Sequence, residues 1–212
     1  MATLICTCVT FLVIKETTRP STQNASLWQL ARKENSLTLL KETELKSIFY
    51  IYLTLTLGVN AFYEFFPVWL VDSFNSDSLE IALYTLSQTA FMVVASIVLV
   101  PKVKNHFGKA SGIIFGASCL ALLLLVFPLS GPHSAYVLFA LTGIAIAIYN
   151  GLFPVYVSDR YERFGHGKVF GLLTTTFCLS NVIISLIGGV ITLFSSELVL
   201  ILGGLLVLSA TL

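Results

Sequence analysis

The sequence predicts an all-α polytopic membrane protein, and three observations lead to that fold class. Of the 212 residues, 56% are hydrophobic and only 11% are charged, whereas a soluble domain carries about 25% charged residues. The mean hydropathy is +0.90. The charged residues gather in short clusters, and the stretches between them are long enough to cross a bilayer, which takes about 20 residues. Such a chain buries most of its apolar surface in lipid.

Several functional classes are excluded by the same composition and by missing motifs. Twelve Lys and Arg residues against eleven Asp and Glu give a net charge of +1, which argues against a nucleic-acid partner. The three histidines are isolated, the four cysteines form no C-x-x-C pair, and the sequence contains no H-E-x-x-H, G-x-S-x-G or P-loop motif. We therefore expect no enzymatic activity, no cofactor and no metal site.

The first 46 residues are predicted to form two parts. Residues 1–14 are apolar, but a helix of that length is only about 21 Å long, too short to cross a bilayer alone. They are expected to be the end of a transmembrane helix. Residues 15–46 are polar and hold six basic residues, and they are predicted to lie on the membrane surface as a cytoplasmic loop.

Residues 47–212 are predicted to form a bundle of transmembrane helices. Charged loops or Pro and Gly clusters separate its apolar stretches. The predicted spans are 47–71, 81–101, 110–130, 135–157, 169–194 and a partial span at 198–212.

The basic residues give the orientation of the spans. The segments 15–46, 102–109 and 158–168 hold six, three and three of them, and the intervening loops hold none. Short loops rich in Lys and Arg stay cytoplasmic, so these three segments are predicted to face inward. The first and last helices, 1–14 and 198–212, are then predicted to be truncated.

Four of the predicted spans carry polar side chains at helical spacing, which is typical of helices that line an aqueous cavity. They are 47–71, 81–101, 135–157 and 169–194. The striped positions are Tyr52, Thr56, Asn60, Tyr63, Glu64, Tyr84, Gln88, Met92, Thr142, Tyr149, Asn150, Pro154, Thr174, Cys178, Asn181 and Ser185. The spans 110–130 and 198–212 lack such a stripe and are expected outside the cavity.

Glu64 is the single charged residue inside a predicted span. A carboxylate in hydrocarbon costs a few kcal/mol, and such acids usually mark ion or proton pathways. Alternatively, Glu64 is a wetted residue of the outer rim, because it lies eight residues, about 12 Å along a helix, from Asp72. Both interpretations stay open at this stage.

The remaining pathway candidates are uncharged polar residues. They are expected to contact substrate, with Tyr63 and Tyr149 in an aromatic lining for a lipophilic solute. For Asn150 and Asn181 the alternative is that they hold neighbouring helices together, and helix packing is favoured for Asn181. The candidates are Asn60, Tyr63, Gln88, Tyr149, Asn150 and Asn181. Trp69, near the outer end of its span, is expected to be an interfacial anchor.

Four charged residues at the cytoplasmic side are candidates for a gate. Asp159 and Arg163 are four residues apart, and they form either a gate contact or an ordinary exposed pair of little energetic weight. Lys104 and Lys109 lie in the basic turn 102–109.

Two stretches resemble a known family. The turn from Pro101 to Lys109, PKVKNHFGK, resembles the loop between helices eight and nine of the major facilitator superfamily. Ser158-Asp159-Arg160, Gly167-Lys-Val-Phe-Gly171 and Gly188-Gly189 resemble the helix ten–eleven region of the drug:proton antiporters in that superfamily. The segment 15–46 sits where that family has its central cytoplasmic loop.

The resemblance implies one six-helix half of a facilitator-type transporter, with residues 1–14 similar to the end of helix six. It implies secondary active transport of a small solute, with proton-coupled efflux of a lipophilic or drug-like compound as the specific expectation. The implied partners are the lipid bilayer, the substrate, the proton and an N-terminal six-helix half, in a bacterial cytoplasmic (inner) membrane. Two alternatives remain: a truncated or split half-transporter without activity of its own, and a metabolite or sugar uptake permease of the same superfamily.

Overall fold

The computed structural model describes residues 43–211, and every structural statement below concerns these residues. The predicted segment 1–14 and most of the predicted loop 15–46 lie outside them. The described part contains five α-helices, and within it no strand occurs. They are α1 (Thr43–Phe74), α2 (Ser78–Val126), α3 (Pro132–Arg160), α4 (His166–Thr192) and α5 (Ser196–Thr211).

Helix α1 begins before its predicted span. The sequence placed residues 43–46 in the loop, but they form the first turn of α1. Leu45 is fully buried there, and neither Gly nor Pro interrupts the turn. The charged residues therefore mark the end of the apolar stretch and not the end of the helix.

Helix α2 consists of two limbs, 78–107 and 109–126, that meet at Gly108. Gly108 has φ 77° and ψ 173°, a conformation that a residue without a Cβ adopts readily. The second limb folds back along the first, since a Cβ on Gly112 would lie 2.8 Å from Val103 Cγ1. The predicted spans 81–101 and 110–130 thus lie in separate limbs of α2. The turn is shorter than the predicted 102–109, because residues up to Phe107 are helical.

Both limbs of α2 pack against α3, with opposite directions. Along the first limb, Tyr84 contacts Pro132 and Val100 contacts Gly151, so this limb runs parallel to α3. Along the second limb, Gly116 lies against Ile148, and this limb runs antiparallel to α3. Helix α3 therefore has a limb of α2 on two sides and is the most buried span.

Helix α1 packs against α4 and α5 at two close approaches. A Cβ on Gly188 of α4 would lie 2.2 Å from Phe65 Cε2, and a Cβ on Gly58 would lie 2.5 Å from the Gly203 carbonyl oxygen of α5. A Cβ on Gly204 would lie 3.0 Å from Leu125 Cγ in the second limb of α2. Small residues at these crossings let the helix backbones approach closely, as in other membrane bundles.

Aromatic side chains fill the core where α1, α2 and α3 meet. The ring centroids of Phe62 and Phe139 are each within 5.4 Å of the Phe127 centroid. Trp69 joins this cluster, 5.6 Å from Phe127 and 5.1 Å from Phe74 between centroids. Trp69 is only 1% exposed, so the expectation of an interfacial anchor is wrong: the indole packs inside the bundle.

The lengths and compositions of the helices agree with the predicted fold class. In the described part, four helices are long and apolar enough to cross a membrane, and α2 among them is divided at Gly108. Helix α5 is apolar but has 16 residues. The prediction of an all-α polytopic membrane protein is confirmed.

Candidate functional site

The loops gather at two ends of the bundle, and the charges follow them. At one end, Lys109 forms an ion pair with Asp159, so the turn after the first limb of α2 lies beside the end of α3. At the other end, Asp72 and Glu197 line one shallow depression, and the Tyr84 hydroxyl donates to the Pro132 carbonyl oxygen at 3.0 Å. This arrangement brings together the loops that the basic residues assign to the same side of a membrane.

Between these ends, a buried hydrogen bond joins α1 to α4. Asn60 Nδ2 donates to Ser180 Oγ at 2.7 Å, and Asn60 is 3% exposed. The Ser180 hydroxyl in turn donates to the Phe177 carbonyl oxygen. Asn60, a candidate for substrate contact from the sequence, makes a hydrogen bond between two helices in the structure.

Glu64 lies one turn further along α1 and faces the same helix. It is partly buried, and its Oε2 accepts a hydrogen bond from Ser185 Oγ at 2.7 Å. The carbonyl oxygen of Asn181 lies 2.8 Å from the same hydroxyl. The carboxylate therefore lies at the interface between α1 and α4 (the α1–α4 seam), which the Asn60–Ser180 and Glu64–Ser185 bonds mark. Helix α4 carries no charged residue after Lys168.

The surface beside Glu64 combines polar and aromatic groups. Tyr63 is 39% exposed, and Asn181 is partly exposed on α4. One face of α4 also leaves Thr174, Thr175 and Cys178 exposed. Both threonine hydroxyls donate to backbone carbonyl oxygens one turn earlier, which satisfies them in a weakly polar environment.

A cleft of about 200 Å³ opens between α1, α3 and α4. Aromatic and aliphatic side chains dominate its lining, and Thr174 contributes a hydroxyl. The lining residues are Tyr52, Pro154, Phe170, Leu173, Thr174 and Phe177. Three of the four helices predicted to line a cavity meet here.

Two further pathway candidates are buried between helices and a third is exposed. Tyr149 lies inside the bundle. Gln88 is buried where α2 crosses α3, and its Nε2 has no hydrogen-bond partner within the described residues. Asn150 is exposed on α3. These three residues are not hydrogen-bonded to Glu64.

At the basic end, the gate candidates Lys109 and Asp159 are in contact. Lys109 and Asp159 join the turn after the first limb of α2 to the end of α3. Lys104 is exposed, and the Arg163 guanidinium lies 4.8 Å from the Phe164 ring centroid. The sequence predicted a contact between Asp159 and Arg163 from their spacing. In the structure, Asp159 contacts Lys109, which is 50 residues away in the chain.

Three hydroxyl groups that make side-chain contacts in the structure were not among the pathway or gate candidates. Ser180 bonds Asn60, Ser185 bonds Glu64, and Ser158 Oγ lies 2.7 Å from His166 Nδ1. Ser185 belonged to the polar stripe of its span, and that position was the available signal. No group of three or more potential metal ligands occurs in the part of the chain that the structure describes.

The sequence model of the Major Facilitator Superfamily matches residues 1–185. No curated protein matches the chain. The family match covers most of the 212 residues and agrees with the helical bundle described above. The chain is an integral, multi-pass membrane protein that belongs to the Major Facilitator Superfamily, a family of secondary transporters of small solutes.

Proposed function

We propose that this protein couples the transport of a lipophilic or drug-like solute to a proton, in the direction of efflux, and that Glu64 is the proton site. The observation that carries the proposal is the position of Glu64. It is the one charged side chain inside the predicted spans, and it lies partly buried on the α1–α4 seam with a hydroxyl partner. A carboxylate inside a membrane span costs a few kcal/mol of free energy, and carboxylates at such positions are typical of proton and ion pathways.

An apolar cleft on the same helices, about three turns of α1 away from Glu64, supports a lipophilic solute. The cleft between α1, α3 and α4 is lined mainly by aromatic and aliphatic groups, and ligand sites for small molecules are mostly apolar with a few placed polar groups. Tyr63 and Asn181 supply polar groups beside the carboxylate.

We further propose that the exposed polar face of α4, with Tyr63 and Glu64, lines a cavity that a second six-helix unit closes. In transporters built from structural repeats, substrate sites lie near the bilayer midplane between the repeats, and rocking of one unit against the other alternates access. The Lys109–Asp159 contact would then belong to the gate at the cytoplasmic side of a bacterial inner membrane.

A flux assay in proteoliposomes tests the proposal. The full chain is reconstituted alone and together with a facilitator-type N-terminal six-helix unit, and a panel of fluorescent lipophilic compounds is followed under an imposed pH gradient. We expect gradient-driven flux of some compounds, lost in Glu64→Gln and kept in Glu80→Gln. Glu80 is a matched control because it lies outside the spans, in the N-terminal cap of α2.

Two results would reject the proposal. One is gradient-driven flux of equal rate in Glu64→Gln and the unchanged protein, which would leave Glu64 as a rim residue. The other is transport that responds to no pH gradient in either reconstitution.

A further inference from the structure

The Ser185 hydroxyl has two acceptors within reach but only one proton to donate. Glu64 Oε2 lies 2.7 Å from Ser185 Oγ, and the Asn181 carbonyl oxygen lies 2.8 Å from it. A serine hydroxyl carries one donor and two acceptor lone pairs. While Glu64 is a carboxylate, which only accepts, the charge-assisted bond from Ser185 to Glu64 is the stronger of the two.

Protonation of Glu64 reverses this hydrogen bond. When a proton from water is added to Glu64 Oε2, the carboxyl group gains an O–H donor. That group donates to Ser185 Oγ, and the Ser185 proton turns to the Asn181 carbonyl oxygen. Loss of the proton to water restores the first arrangement, so one proton enters and leaves and no other bond is broken.

We propose that Ser185 is a positioning residue whose hydrogen bond to Glu64 reverses when Glu64 is protonated, which weakens the contact between α1 and α4. The inference rests on the proposed proton role of Glu64. Charge-assisted hydrogen bonds are roughly twice as strong as neutral ones, so the seam is tighter at Ser185 when Glu64 is ionised. The neutral Asn60–Ser180 bond, five residues earlier on α4, is the same in both states. Proton uptake therefore loosens the seam at Ser185 while Asn60 keeps the helices together.

The surroundings leave Glu64 as the charge that sets this contact. Helix α4 has no charged residue after Lys168, and α5 has none after Glu197 within the described residues. The other ionisable side chains of the packed spans are tyrosines and cysteines, whose protonated forms carry no charge. They include Tyr63 on α1, Tyr149 on α3 and Cys178 on α4.

Infrared difference spectroscopy tests the switch without any transport. Spectra of the full chain in lipid nanodiscs are recorded against pH, and the protonated-carboxyl band of Glu64 is identified by its loss in Glu64→Gln. In Ser185→Ala we expect the band to move to higher frequency, because the neutral carboxyl loses its hydrogen-bond acceptor. Ser185→Thr, which keeps the hydroxyl, should restore the original frequency.

Ser96→Ala is the matched control. Ser96 is exposed in a span, and its hydroxyl donates to the carbonyl oxygen four residues earlier at 2.8 Å, as Ser185 does, but without a carboxylate. We expect it to leave the band unchanged. The proposal is overturned if Ser185→Ala leaves the band frequency unchanged, if Ser96→Ala shifts it equally, or if Glu64→Gln removes no band. A Glu64 band that responds to Ser185→Ala as expected, in a protein without proton-driven flux, would reject only the proposed function.

Discussion

Replacing Gly143 with alanine tests the crossing between the first limb of α2 and α3. A Cβ at this position would lie 2.2 Å from the Gln88 carbonyl oxygen and 3.2 Å from the Met92 backbone nitrogen. Ordinary contacts of a Cβ begin at 3.4 Å. The obstacle is backbone, which no rotamer change can move aside, so the two helices must separate by about 1 Å.

The energetic cost of that separation follows from packing. Overpacking a close contact costs about 1–3 kcal/mol, and the higher helix propensity of alanine returns about 0.5–1 kcal/mol. Because the obstacle is backbone, the upper end of the first range applies, and we expect a net loss of about 2 kcal/mol in the free energy of unfolding. Gly189→Ala is the control, since nothing lies within 4 Å of a Cβ at Gly189, and it should be neutral or stabilising by up to about 1 kcal/mol.

Unfolding in mixed micelles, followed by circular dichroism as the fraction of denaturing detergent rises, measures the difference. The midpoint for Gly143→Ala should fall below that of the unchanged protein, and the midpoint for Gly189→Ala should not. If the two variants unfold at the same midpoint, the close crossing of α2 and α3 is refuted.

Three further predictions follow from single contacts. Asn60→Leu should cost about 0.6–2 kcal/mol of stability, and a double-mutant cycle with Ser180→Ala should show coupling; strictly additive effects would contradict the Asn60–Ser180 bond. A protein carrying Lys109→Cys and Asp159→Cys should form an intramolecular cross-link with a short bifunctional reagent, because these side chains are in contact. Failure to cross-link would show that the two loops are not in contact. Cysteines placed at Lys104 and Arg163 should react with an impermeant reagent only from the cytoplasmic side and one at Asp77 only from the outside; the opposite pattern would invert the topology.

The segmentation of the bundle could be predicted from the sequence because charge is expensive in lipid. The uncharged stretches gave the spans, and the helices of the described residues contain them to within a few residues at each end. The predicted and observed ends differ where a helix continues past the apolar stretch, as at Leu45. They also differ at Gly108, where a single residue reverses the direction of the chain. Helix ends depend on local backbone hydrogen bonds, which the charge pattern does not report.

The candidate site was predicted only in part. The spacing placed Asn60 and Glu64 on one polar stripe, and both face α4. The stripe did not distinguish Asn60, which is buried in a bond to Ser180, from Tyr63, which is exposed. Periodicity tells which face of a helix is polar, whereas the group that covers this face lies about 120 residues away in the chain. The same limit applies to Lys109, whose partner Asp159 is 50 residues distant.

A comparison of substrate exchange with substrate accumulation in proteoliposomes tests proton coupling through Glu64. For a compound that the protein transports, the rate of exchange of labelled for unlabelled substrate at equal pH is measured beside accumulation under a pH gradient. We expect Glu64→Gln to keep exchange within about twofold, a difference of about 0.4 kcal/mol, and to abolish gradient-driven accumulation. Accumulation at the rate of the unchanged protein, with exchange also intact, would contradict proton coupling through Glu64.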